Sequence, residues 1–338
     1  MTSKVDFARI LCTIRLKTAI RGDVMKIKTK RYLILLLVLM LALCTFFACS
    51  PKDDGDPTPP DTDDSDDELP EIDWEAFFGG FSSQNEPEFL PYADTKYGET
   101  VEITYHSGVT NADKHAMVTL PYGYDESKQY PVLYLLHGIF CSHKSWTENG
   151  NAKYIIQNLH IDKDVKEMII VSVNSIVNAD EKAPSIFDTE YATIFDKTGE
   201  DIVTSLMPYI NENYSTLTDR ENTAIAGFSM GGRETMLTAF AYPEKFGYVG
   251  AFSSAGYDSS VISFSSQVPD FKTTSGNEFE YLMLAIGSSD YSTGHITRAI
   301  DSKLTKNGVS FEKKTYNGGH DFYVWKCALY DFAQKIFQ

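Results

Sequence analysis

A chain of 338 residues that is 43% apolar and 13% aromatic, with a formal net charge of −17, has too much core-forming material to be a disordered protein. The charge is segregated: nine Lys/Arg face two Asp in 1–49, one Lys faces twelve acids in 50–78, and −13 remains for 79–338. An acidic body without a basic stripe repels nucleic-acid phosphates and anionic lipid, which leaves neutral polysaccharides and small esters as ligand classes.

Residues 33–48, LILLLVLMLALCTFFA, form one apolar run directly behind Lys26, Lys28, Lys30 and Arg31. A basic flank, a run of about 16 residues that is short for a span, and a small residue (Ala48) before Cys49 describe an export signal. The segment resembles a bacterial lipoprotein signal. That resemblance implies a lipidated Cys49 at the start of the mature chain, contact with the membrane only through the lipid, and a cell-surface or periplasm-facing location. An uncleaved N-terminal anchor is the alternative, and it exports the remainder equally. Met25 stands just before the basic stretch and is a candidate start. Residues 50–73, SPKDDGDPTPPDTDDSDDELPEID, hold almost nothing that a core could bury, so an extended tether is expected there. The fixed glycine and regular ligand spacing of a calcium loop are missing from it. The expected organisation is therefore a leader over 1–49, a tether over 50–78, and one folded domain over 79–338.

Within that domain, strand signals fall at 100–105, 117–120 and 130–136, the last containing the doubly apolar run PVLYLL. Further strands are expected at 167–173, 223–227, 248–253, 281–286 and 312–316. Between the fourth and fifth, residues 200–214 place Ile202, Leu206 and Ile210 on one stripe, which is helical. Helices are also expected at 232–241, 297–306 and 324–336. Strands alternating with helices imply an α/β fold: a mostly parallel central sheet with helices on both faces.

Gly227, Phe228, Ser229, Met230 and Gly231 lie between an expected strand and an expected helix. Glycines two before and two after a serine permit a turn tight enough to push the serine above the sheet, which is the nucleophile elbow of the α/β-hydrolase fold. A serine hydroxyl needs a base to take its proton during attack. In this fold the base follows the nucleophile, and only His295 and His320 do so here. His320 ends Asn317-Gly318-Gly319-His320, a turn after the last strand, and is the stronger candidate. The acid that holds the imidazole should lie on a loop after a strand. Asp290, behind YLMLAI and Gly287-Ser288-Ser289, is the leading candidate, with Asp258 as rival and Asp321 too close to the histidine in sequence. Oxyanion donors, each worth roughly 3–4 kcal/mol in the transition state, are expected from the backbone N–H groups of Met230 and Ile139. His137 reads as structural, with its ring bonded to backbone. No metal cluster, nucleotide loop or cofactor motif is visible, and this chemistry requires no cofactor.

Several segments together resemble carbohydrate esterase family 1, in particular the feruloyl esterase domains of bacterial xylan-degrading enzymes: LPYGYDESKQYPVLYLLHGI, IIVSVN, LMPYINENYSTLTDRENTAIAGFSMGG, the turn from Gly287 to Asp290, and GGHDFYVWK. The resemblance runs from about residue 85 to the C-terminus. It implies an α/β hydrolase that cleaves ferulate or acetyl esters from xylan, with a triad on Ser229, Asp290 and His320. Where relatives usually carry small residues after the oxyanion turn, this chain has Phe140 and Cys141, and Cys327 stands where close relatives often have proline. A Cys141–Cys327 disulfide pinning the two loops is one expectation, and two thiols the other. Trp146, Phe187, Tyr191 and Trp325 are candidate walls of a phenolic acyl pocket, or core. Transfer of the acyl group to a sugar, and a non-catalytic carbohydrate-binding relic, are the competing functions.

Overall fold

Among the described residues, eight strands form one sheet in the order β1-β2-β4-β3-β5-β6-β7-β8. They span Thr100–Ser107 (β1), Ala112–Thr119 (β2), Val132–Leu136 (β3), Ile169–Val173 (β4), Thr223–Phe228 (β5), Tyr248–Phe252 (β6), Tyr281–Gly287 (β7) and Glu312–Tyr316 (β8). The hairpin β1–β2 joins β4 antiparallel, and every pairing from β4 to β8 is parallel. This computed structural model describes residues 86–183, 191–258 and 265–338, all within the compact unit Pro70–Gln338. The leader, Cys49, the tether, Phe187 and the side chain of Tyr191 lie outside the described residues.

The apolar run of β3 shows how the sheet divides the core. Successive side chains of a strand point to opposite faces, so Val132, Tyr134 and Leu136 enter one cluster while Leu133 and Leu135 enter the other. The first cluster receives Ile202, Leu206 and Ile210, then Met236 and Ala239, then Ile296, Ile300 and Leu304. These belong to the helical stretch α3 (Thr198–Asp201), a π turn (Ile202–Leu206) and α4 (Met207–Asn213), to α5 (Met230–Ala241), and to α6 (Gly294–Asn307). The second receives Ile155, Ile156 and Leu159 from α2 (Ala152–Lys163), and Val324, Trp325, Ala328, Leu329 and Phe332 from α7 (Phe322–Ala333). Helices thus cover both faces, as the alternation of signals implies.

Three local departures from the sequence expectation have physical causes. Between Leu136 and Ile169 the chain forms the short helix α1 (Ser145–Glu148) and then α2. Neither announces itself, because α2 opens on Asn151 and closes on Asp164, both left-handed, rather than on a capping hydroxyl and a glycine. The helix over 200–214 is not uniform: Pro208 cannot donate a hydrogen bond back along the ladder, and the preceding turn widens to π. Strand β2 begins at Ala112, not at 117, and its first half carries the fully buried Lys114, whose charge hides the strand from an apolar pattern.

Candidate active site

The elbow is built from steric necessity. Ser229 adopts φ 55° and ψ −119°, a left-handed and strained conformation for a non-glycine residue. A Cβ on Gly227 would meet the Gly231 carbonyl oxygen at 2.5 Å, and one on Gly231 would meet the Leu136 oxygen at 2.3 Å. Any side chain at either place would force strand and helix apart. The strained residue is held by three backbone bonds: Ser229 N–H donates to Phe252 O at 2.9 Å, and its carbonyl accepts from Ala255 N–H at 2.9 Å and from Arg233 N–H at 3.1 Å.

Around this turn the expected partners converge. His320 Nε2 lies 3.0 Å from Ser229 Oγ, and His320 Nδ1 lies 2.8 Å from Asp290 Oδ2. The Asp290 side chain is fully buried and that of His320 about one-fifth exposed. Thr293 Oγ1–H donates to Asp290 Oδ2 at 2.9 Å, while Oδ1 accepts from Thr293 N–H at 3.0 Å and from Ser292 Oγ–H at 2.7 Å. Burial by itself would raise the Asp290 carboxyl. The facing His320 and these hydrogen bonds outweigh it and hold the group well below the usual carboxylate range. The His320 and Trp325 rings pack almost perpendicular to each other, with centroids 5.1 Å apart. Asp321 instead shapes the backbone on either side of the histidine. Its carboxylate caps α7 by accepting from Val324 N–H at 3.0 Å and braces the loop by accepting from Gly319 N–H at 2.9 Å. Close approach fixes the loop from the other side too, since a Cβ on Gly287 would lie 2.3 Å from Gly319 O. Asp290, and not Asp258 or Asp321, therefore faces the imidazole.

Met230 opens α5, so its N–H is one of the groups a helix leaves without an intrahelical acceptor. The loop after β3 comes against the elbow: a Cβ on Gly138 would lie 3.1 Å from Ser229 Cβ. His137 fixes this loop. Ser175 N–H donates to His137 Nε2 at 3.1 Å, which leaves Nδ1 protonated to donate to Gly138 O at 2.7 Å. In a trans peptide the N–H points opposite to the C=O, so that one bond sets the direction of Ile139 N–H. Burial depresses the His137 pKa to about 4, against opposing hydrogen bonds.

Phe140 takes the left-handed conformation, φ 60°, which accounts for the small residues that suit this position. Its side chain and that of Ile139 pack on a small cluster of Ile176, Ala192, Phe195 and Met230. Two alternatives left open by the sequence are decided here, the pocket-wall role of the tryptophans and the disulfide both giving way. Trp146 and Trp325, each 1% exposed, are core and not pocket walls: Trp325 stacks on Phe228 at 4.1 Å, and Trp146 Nε1–H donates to Leu136 O. Cys141 and Cys327 are thiols rather than a disulfide. Both are half-buried on the rim of the second core cluster, and burial pushes the Cys327 thiol up to about 11. Sequence reasoning missed the salt bridges of Arg233, one turn into α5, with Asp196 and Glu234; a charged residue in a helix gives no signal of a buried partner.

Comparison with known proteins places this geometry. The Esterase family model matches residues 107–279. An endo-1,4-beta-xylanase/feruloyl esterase of Xylanibacter ruminicola is 30% identical over 262 residues, covering 74% of this chain but 33% of that protein, so the chain spans about a third of that relative's length. Among solved structures, a carbohydrate esterase family 1 ferulic acid esterase of Anaeromyces mucronatus, in complex with ferulic acid, superposes with a TM-score of 0.68 at 30% identity, covering 75% of this chain and 96% of its own. The feruloyl esterase module of Clostridium thermocellum, complexed with sinapinate, shares the fold at 19% identity and a TM-score of 0.58, with 76% and 94% covered. With an eight-stranded hydrolase sheet and these matches, the chain belongs to the Esterase family, in the carbohydrate esterase family 1 group of α/β hydrolases.

Proposed function

We propose that the protein is a serine carboxylic ester hydrolase that removes feruloyl groups from xylan through a Ser229–His320–Asp290 triad. The observation that carries the reading is the unbroken relay from Ser229 Oγ through the imidazole to a buried carboxylate, at 3.0 Å and 2.8 Å. In this reading Ser229 Oγ attacks the ester carbonyl carbon while His320 Nε2 takes its proton, and Asp290 stabilises the resulting imidazolium. The carbonyl oxygen becomes an oxyanion facing the N–H groups of Met230 and Ile139. The intermediate collapses: the ester C–O bond breaks and the alcohol departs with the proton from Nε2. Water then enters, His320 removes its proton, and the attack of the hydroxyl on the acyl carbon releases the acid and restores Ser229. Relatives named for feruloyl esterase and ferulic acid esterase activity support this choice of acyl group.

Rates on methyl ferulate, acetylated xylan and 4-nitrophenyl acetate test it. Methyl ferulate should be turned over at least as efficiently as the activated acetate; activity confined to 4-nitrophenyl acetate would overturn the feruloyl assignment. Added sugar acceptors should not divert the acyl group from water.

The same proposal extends to location: residues 26–49 export the enzyme, and Cys49 carries a lipid anchor. The mass of the mature N-terminal peptide should show a lipidated Cys49, whereas an unmodified peptide running through residues 33–48 would contradict it.

A further inference from the structure

The sheet register places the β1–β2 turn on the same rim as the elbow. Strand β2 runs antiparallel to β4 and pairs Ala116 with Val173, so Ala112 and its partner Ser107 project past the C-terminal end of β4. Ser229 follows the C-terminal end of β5 on that rim. From β5 to β2 is three strand steps and to β1 four, about 14–19 Å at roughly 4.8 Å per strand.

Beside this turn lies a cleft of about 560 Å³, whose lining includes His106, Glu200, Thr204, Ser205, Tyr209 and Glu212. A second cleft of about 490 Å³ shares Val109 with it and is lined by Asn178, Thr193, Ile194, Asp196 and Lys197, so that a carboxylate and an ammonium both face it. Ile194 also packs on the cluster of Met230, Ile139 and Phe140. The two open depressions therefore adjoin at Val109, and Ile194 links the wall of the inner one to the cluster beneath the oxyanion loop.

The outer wall is shaped by the fold. Thr204 and Ser205 sit in the π turn that Pro208 imposes, a distortion that recurs at functional sites. Ser205 Oγ accepts from Gly108 N–H at 3.1 Å and fastens the hairpin to the helix. The outer lining offers a half-buried tyrosine ring, hydroxyls, carboxylates and an imidazole, with no lysine or arginine. That set accepts hydrogen bonds from hydroxyl groups, presents an aromatic edge or face to a sugar ring, and repels anions.

We propose that the paired clefts form a glycan subsite that holds a neutral polysaccharide chain several sugar units away from the one bearing the ester. The proposal rests on the esterase reading and adds how far along the polysaccharide the protein makes contact. A methyl ester is too short to reach the outer cleft, so the site acts on polymeric substrate alone.

Thr204 is exposed, and Thr204→Trp fills the outer cleft; Tyr209→Ala removes its ring. For feruloylated xylo-oligosaccharide, each variant should lose about tenfold in kcat/KM through KM, with methyl ferulate turned over as by wild type. In calorimetry, an unesterified xylo-oligosaccharide should bind the Ser229→Ala protein and bind the Ser229→Ala, Thr204→Trp protein about tenfold more weakly. KM values on the oligosaccharide unchanged from wild type in both variants, or no heat of binding to the Ser229→Ala protein, would overturn the subsite. If the wild type hydrolyses neither ester, the catalytic reading falls on its own, and the titration still decides the cleft.

Discussion

His137 is neutral by geometry, because one ring nitrogen must accept from Ser175 N–H. With a folded pKa near 4 against 6.5 for a free imidazole, the unfolded chain binds the extra proton between those values. Stability then rises with pH across that window and is lost as pH falls through it, by up to about 3 kcal/mol from this group. Urea unfolding should show wild type losing about 2 kcal/mol more than His137→Gln between pH 7.5 and pH 5; parallel losses would contradict a buried neutral ring. The depressed Asp290 contributes with the same sign in a separate window: its stabilisation is complete above about pH 4 and fades as pH falls toward its lower folded pKa. At this scale the sequence was most legible, because Ser229, His320 and Asp290 sit at turns whose glycines leave no alternative geometry. For Trp146 and Trp325 the sequence left core and pocket wall both open, since an aromatic near such a motif can point to either side of the sheet, and burial decides for the core.

Among the elements, α7 does more than fill the second core cluster. Its N-cap, Asp321, is the residue after His320, so the helix start and the position of the imidazole are one structural decision. Asp321→Ala should cost about 1–2 kcal/mol for the lost cap and lower kcat on methyl ferulate several-fold with little change in KM, which steady-state kinetics and thermal unfolding would separate. Undiminished kcat would show that the loop holds His320 without the cap. Strands were legible as elements because apolar runs such as PVLYLL are too short for a helix and suit a sheet buried on both faces. Helix α2 was not, because its ends are set by left-handed Asn151 and Asp164 and its face is packed by tertiary contact, not announced by strong amphipathicity.

For the molecule as a whole, the edge of the sheet is tied to the helical layer by a buried charge. Lys114 Nζ donates to Asp201 Oδ2 at 3.0 Å and to Asn174 O at 3.0 Å, and Tyr105 O–H donates to the same Asp201 oxygen at 2.7 Å. Both charged side chains are almost completely buried. Lys114→Met would strand a buried carboxylate and should destabilise by about 3–5 kcal/mol in urea, while adding Asp201→Asn should recover part of that. A loss below about 1 kcal/mol would mean that water or rearrangement already screens the pair. The α/β architecture was readable from the order of strand and helix signals, but this tie was not. Pairing a lysine with an aspartate 87 positions away is decided only when β2 and α3 are brought together in space.

The proposed ester cleavage stands on covalent chemistry at one hydroxyl. Incubation with a fluorophosphonate, followed by peptide mass mapping, should place a single phosphonyl adduct on the peptide containing Ser229, with labelling and methyl ferulate hydrolysis both abolished in Ser229→Ala. An adduct on another residue, or hydrolysis that persists in Ser229→Ala, would contradict it.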